Sequence, residues 1–141
     1  MRSRPAWWLA LVESAVLMPW VTISLRTRGY ARTLRGATTS SGALPAPRPG
    51  APVPLPVRIV ASAVTVVAGR RPRGTCLPRA ITILWLAGRR GHQVELCMGV
   101  AAPTSGVLPA HAWVEYGGRP VNDTADVRER YHVLPAPPTT S

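Results

Sequence analysis

The sequence predicts an α+β fold in which a helix that opens on a cysteine packs against a small antiparallel sheet, with an apolar helical segment ahead of it. Three observations carry this expectation. Leu77, Ile81, Leu84 and Trp85 recur at helical spacing directly after Gly-Thr-Cys. Residues 93–100 and 110–116 alternate with period two, as half-buried strands do. Gly117-Gly118 then separates the second run from residues 119–123, as a hairpin turn would.

The 141 residues suit one domain. The 46% hydrophobic content overstates the supply of core, because the chain has no Phe and carries 16 prolines and 12 glycines. The expected organisation is an apolar helical segment over 1–37, a proline-rich linker over 38–56, a folded domain over 57–134 and a disordered tail over 135–141. All 17 basic residues are arginines and the net charge is +11. They are scattered in ones and twos, with no basic helix interleaved with aromatics, so nucleic acid is not an expected partner. Cys76 and Cys97 are too few for a disulfide scaffold, and a reducing cytoplasm is the expected setting.

From Trp7 to Leu25 the chain is nearly all apolar. A signal peptide would fit Arg2 and Arg4, but no small-x-small cleavage site follows. A membrane span needs about 20 predominantly apolar residues, and this run places Glu13 and Pro19 inside that length. A helix packed on the domain or on a partner fits best. Arg26, Arg28, Arg32 and Arg35 would suit anionic headgroups, so peripheral membrane contact stays open.

Residues 38–56 hold prolines at alternate positions, which excludes helix and sheet interior and favours an extended spacer. Val57, Val60 and Val64 mark a helix over 57–68 that Gly69 ends. Thr75 suits the N-cap of the next helix, placing Cys76 at N1, Leu77 at N2 and Pro78 at N3, where a missing donor costs nothing. Gly88 or Gly91 ends that helix, with Arg89 and Arg90 in its last turn. Residues 101–109 read as a loop. In the strand after it, His111, Trp113 and Glu115 share one face and Ala112, Val114 and Tyr116 the other. After Arg130 the ending Leu-Pro-Ala-Pro-Pro-Thr-Thr-Ser over 134–141 reads as a frayed tail.

A thiol in the first turn of a helix feels the positive end of the peptide dipoles, which favours thiolate, and thiolate is the nucleophile. Arg73 and Arg79 would push the same way, whereas Cys97 in mid-strand reads as inert. His111 is the candidate base and Asp123 the carboxylate that orients it, holding Nδ1 so that Nε2 meets Cys76. Opposed residues share a face, so His111 meets Asp123 only in a register whose paired positions sum to 234. A two-residue turn at Gly117-Gly118 would put them on opposite faces and shift the role to Asn122 or Asp126. The expectation is therefore a three-residue loop over 116–118 or an equivalent bulge. Trp113 and Arg79 would wall the site. His92 reads as a surface residue and His132 lies near the tail; neither close-paired zinc ligands nor a nucleotide-binding glycine loop is present, so no metal or cofactor is expected.

Cys-Leu-Pro-Arg at 76–79, Gly-Arg-Arg-Gly-His at 88–92, Met-Gly-Val at 98–100, His-Ala-Trp-Val-Glu at 111–115 and Val-Asn-Asp at 121–123 together resemble the transglutaminase-like cysteine peptidases of lasso-peptide biosynthesis. The likeness spans residues 57–126. It implies a papain-like or transglutaminase-like fold and a cytoplasmic leader peptidase with Cys76, His111 and Asp123 as its triad. It also implies as partners a ribosomally made precursor peptide, a small leader-binding protein and the cyclase that closes the freed core. The prolines between 45 and 56 and the sparse aromatic core depart from that pattern. The alternatives are another thiol acyl transfer, such as transglutamination or amide hydrolysis, and a non-catalytic membrane-associated adaptor whose His-Asp pair is structural.

Overall fold

The computed structural model describes residues 3–38, 44–69, 76–101 and 110–134. Helices α1 (Ser3–Thr27), α2 (Tyr30–Thr38), α3 (Leu55–Ala68) and α4 (Cys76–Arg89) precede strands β1 (Glu95–Val100), β2 (Ala110–Tyr116) and β3 (Arg119–Pro120). A one-turn helix α5 (Val127–Arg130) and a short strand β4 (His132–Val133) follow. The four strands form one antiparallel sheet in the order β3-β2-β1-β4.

Helix α4 lies at the centre. Sequence spacing assigns it one apolar face, yet Ala80, Ile81, Ile83, Leu86 and Ala87 are buried on nearly every side. The reason is that α1, α2, α3 and β2 all pack against it. Burial of Ile81, Ile83 and Leu86 contributes about 1.5–3 kcal/mol each. Gly91, with φ of 90°, makes the left-handed turn after the helix.

Helix α1 seats a narrow line, Ala10, Ser14, Met18, Val21 and Ser24, against the domain. Its polar members are satisfied: Ser14 Oγ donates to the Ala10 carbonyl at 2.6 Å, and the Ser24 and Thr33 hydroxyls pair at 2.7 Å across α1 and α2. Glu13 pairs with Arg90 just beyond α4, and Trp20 meets Trp85 edge-on at 5.3 Å between centroids. The N-terminal helices are thus part of one core with α3 and α4.

Residues 44–54 form neither helix nor strand, as the prolines require, and they turn at Pro49-Gly50, where the Ala51 N–H donates to the Arg48 carbonyl at 3.0 Å. They are tied to the sheet rather than free of it: Leu44 N–H donates to the Gly91 carbonyl at 3.1 Å, and Gly50 N–H to the Gly117 carbonyl at 2.8 Å. Helix α3 starts after Pro54 and ends at Gly69, whose φ is 60°.

The hairpin between β2 and β3 departs from expectation. Tyr116 pairs with Arg119 across a strict two-residue turn in which Gly117 and Gly118 have φ of 57° and 86°. The return strand is also shorter than 119–123, ending at Pro120. Toward the C-terminus α5 and the residue after it bury Val127 and Tyr131, and the Leu134 N–H, at the start of the expected frayed ending, donates to the Met98 carbonyl at 2.8 Å; the expected tail over 135–141 lies outside the described residues. The sheet is consequently covered on both faces: Ala112 and Val114 meet the helices, while Cys97 and Trp113 meet Val127 and Tyr131.

Candidate active site

Cys76 is the first residue of α4 and is half-buried. The expected cap, Thr75, lies outside the described residues, as does Arg73. The thiol ionises below its ordinary value chiefly because of the His111 side chain; burial opposes this, and the amides of Ala112 and Leu77 assist. Arg79 is not among the groups that move it; its Nε is buried without a hydrogen-bond partner among the described residues.

His111, near the start of β2, makes a short ion-paired contact from Nε2 to Asp123 Oδ2. That leaves Nδ1 for the thiol, the reverse of the assignment expected from sequence. Nδ1 is buried and has no hydrogen-bond partner among the described residues; the imidazole and the Cys76 thiol nevertheless lie near enough to shift each other's ionisation. Asp123 first and Cys76 second push the imidazole up to about 9 against the effect of burial. A raised imidazole beside a lowered thiol is the electrostatic condition for a thiolate–imidazolium pair.

Asp123 reaches His111 although the turn has two residues, because the ladder fails after Val121. Val121 N–H donates to the Val114 carbonyl at 2.9 Å, but the Val114 amide donates to Asn122 Oδ1, also at 2.9 Å, rather than to the opposing backbone. With the Asn122 side chain substituting for main chain, residues 121–123 bend out of the strand and parity no longer fixes where Asp123 points. Burial would raise the Asp123 carboxyl; His111, the Thr124 amide and Arg130 hold it below its ordinary value.

The imidazole rests on an aromatic floor. Trp113 stacks with it at 5.6 Å and Tyr131 lies at 5.1 Å. Trp113 is fully buried, and its Nε1 donates to Glu115 Oε2 at 2.8 Å, so it supports His111 from beneath. Glu115 is also fully buried; Arg128 grips it from Nε at 2.9 Å and Nη2 at 2.6 Å, which with Trp113 outweighs the burial that would raise it. Gly99, opposite His111, has no room for a side chain, because a Cβ there would stand 2.8 Å from Tyr131 Cβ.

Cys97 behaves in the opposite way to Cys76: burial pushes its thiol up to about 12, with the Glu115 charge adding to the effect. His92 is half-buried beside Tyr116, and His132 is exposed on β4. Among the described residues no group of three or more His, Cys, Asp or Glu is gathered to hold a metal ion. No motif in the sequence marks Arg130 and Tyr131, which clamp Asp123 and support His111. The Asp126–Arg130 spacing of four residues was the available signal for a helical turn there.

In comparison with known proteins, the model of the transglutaminase-like superfamily matches residues 14–136. No curated protein and no solved structure matches the chain.

Proposed function

The chain belongs to the transglutaminase-like superfamily, and from that premise we propose that it is a cysteine peptidase that removes the leader from a lasso-peptide precursor. The observation that carries the chemistry is the line Cys76–His111–Asp123, with a lowered thiol, a raised imidazole and a lowered carboxyl. The substrate class rests on the likeness of Cys-Leu-Pro-Arg and His-Ala-Trp-Val-Glu to the leader peptidases.

In this mechanism the Cys76 thiolate attacks the scissile carbonyl while the α4 N-terminus favours the developing oxyanion. The His111 imidazolium gives its proton to the leaving amine. Neutral His111 then takes a proton from the water that attacks the thioester; expulsion of the Cys76 thiolate releases the new carboxylic acid, which ionises to solvent, and restores the thiolate–imidazolium pair. Asp123 holds Nε2 throughout, keeping Nδ1 toward the sulfur. Trp113 and Tyr131 limit rotation of the ring.

The test is incubation of candidate precursor and leader-binding protein with wild type and with Cys76→Ala, read by mass spectrometry. Cleavage by wild type alone supports the peptidase. Transfer of the acyl group to an added amine without leader release points to transglutamination instead, and equal products from both proteins reject thiol catalysis.

A further inference from the structure

Helix α1 is apolar on the side it buries and on the side it leaves open. Trp8, Leu9, Val12, Val16, Trp20 and Ile23 are 41–70% exposed, and from Leu9 onward they recur every three or four residues. They form a ridge along one outward face, about 20 Å from Leu9 to Ile23 at the rise of an α-helix. An apolar surface of this continuity marks an interaction site rather than scattered surface residues.

We propose that this face docks on the surface of an anionic lipid bilayer, with α1 lying in the plane of the headgroups. Residues 4–27 are long and apolar enough to cross a bilayer, but the opposite face of the helix is committed to α3 and α4, so the helix cannot be surrounded by lipid. The charges complete the match. The one acid on α1, Glu13, is turned to Arg90, and no Asp or Glu occurs between Glu13 and Glu95. Exposed Arg4 precedes the ridge, exposed Arg26 follows Ile23, and the Arg28 guanidinium stands 5.4 Å from the centre of the Trp20 ring. A convex apolar ridge with tryptophans along it and arginines at its ends is the pattern of interfacial helices on anionic membranes. The polar face such helices ordinarily present to water is here replaced by the domain itself. This docking does not depend on the thiol chemistry.

The experiment is flotation of the full chain with phosphatidylcholine vesicles, with and without phosphatidylglycerol. The protein is expected to float with the anionic vesicles, weakly with the neutral ones, and to be released as salt rises. V12E/V16E on the ridge and R26E/R28E at its end should each lower the partition coefficient roughly tenfold or more. The second variant leaves the apolar packing intact, and thermal unfolding of both checks that they fold. Absence of flotation with anionic vesicles overturns the proposal, as do folded variants that float like wild type. So does a soluble dimer or protein complex that V12E/V16E dissociates without any vesicle binding.

Discussion

Arg130 Nη2 stands 2.8 Å from Asp123 Oδ1, the carboxylate oxygen that His111 does not use. The Thr124 amide donates to the same oxygen at 2.7 Å. The carboxylate is thus fixed from one side so that its other oxygen faces the imidazole. Because Arg130 helps to keep Asp123 ionised, Arg130→Gln should let that group protonate at higher pH. The acid limb of kcat/KM is expected to move up, with a loss of roughly tenfold at neutral pH. An unchanged acid limb would show that Arg130 has only a structural role.

Asp123→Asn should act on the other limb. Asp123 is the leading cause of the raised His111 pKa, about 9. Removing its charge should bring the imidazole back toward its ordinary range and lower activity roughly hundredfold. Since the folded pKa is raised, the imidazolium's stabilising effect is complete below about pH 6.5 and is lost as pH rises through about 9. The basic limb of activity and the alkaline loss of stability should therefore both weaken or shift down in Asp123→Asn, as pH-dependent kinetics and melting would read.

Asn122→Ala tests how the carboxylate escapes strand parity. It removes the acceptor of the Val114 amide, and an amide left without a partner costs about 1–3 kcal/mol. Both the melting temperature and kcat should fall. Full activity in this variant would mean that the bend at 121–123 is held by other contacts.

Gly99→Ala places a Cβ against Tyr131 Cβ and 3.2 Å from the Trp113 ring. Because the first of these atoms sits next to the backbone, relief requires moving β4, and about 1–3 kcal/mol of destabilisation is expected by thermal unfolding.

Local patterns were legible in the sequence wherever one interaction decided the outcome. Helical spacing located α4, period two located β1 and β2, and the glycine pair located the turn from β2 into β3. What escaped depended on contacts distant in sequence. Burial of α4 on nearly all sides follows from α1 and α2 packing over it, and the order of residues 44–54 follows from Gly91 and Gly117. Strand parity governs Asp123 only if β3 continues that far; the Asn122 side chain ends the ladder two residues after Arg119 begins it, and no alternation pattern records that. His111 and Asp123 were nevertheless brought together, by the bend rather than by the loop length expected. The identity of the ring nitrogen facing Cys76 was likewise invisible, because it depends on which side of the imidazole Asp123 approaches.

The most direct test of the thiolate–imidazolium pair is the pH dependence of alkylation by iodoacetamide, followed by peptide mapping in wild type and His111→Ala. Wild type should react selectively at Cys76, with appreciable rate well below the ordinary thiol pKa, while folded Cys97 stays unmodified. In His111→Ala the Cys76 profile should shift upward toward an ordinary cysteine. If wild-type Cys76 reacts only as pH approaches the ordinary thiol range, or its profile is the same without His111, the pair does not form and the account is contradicted.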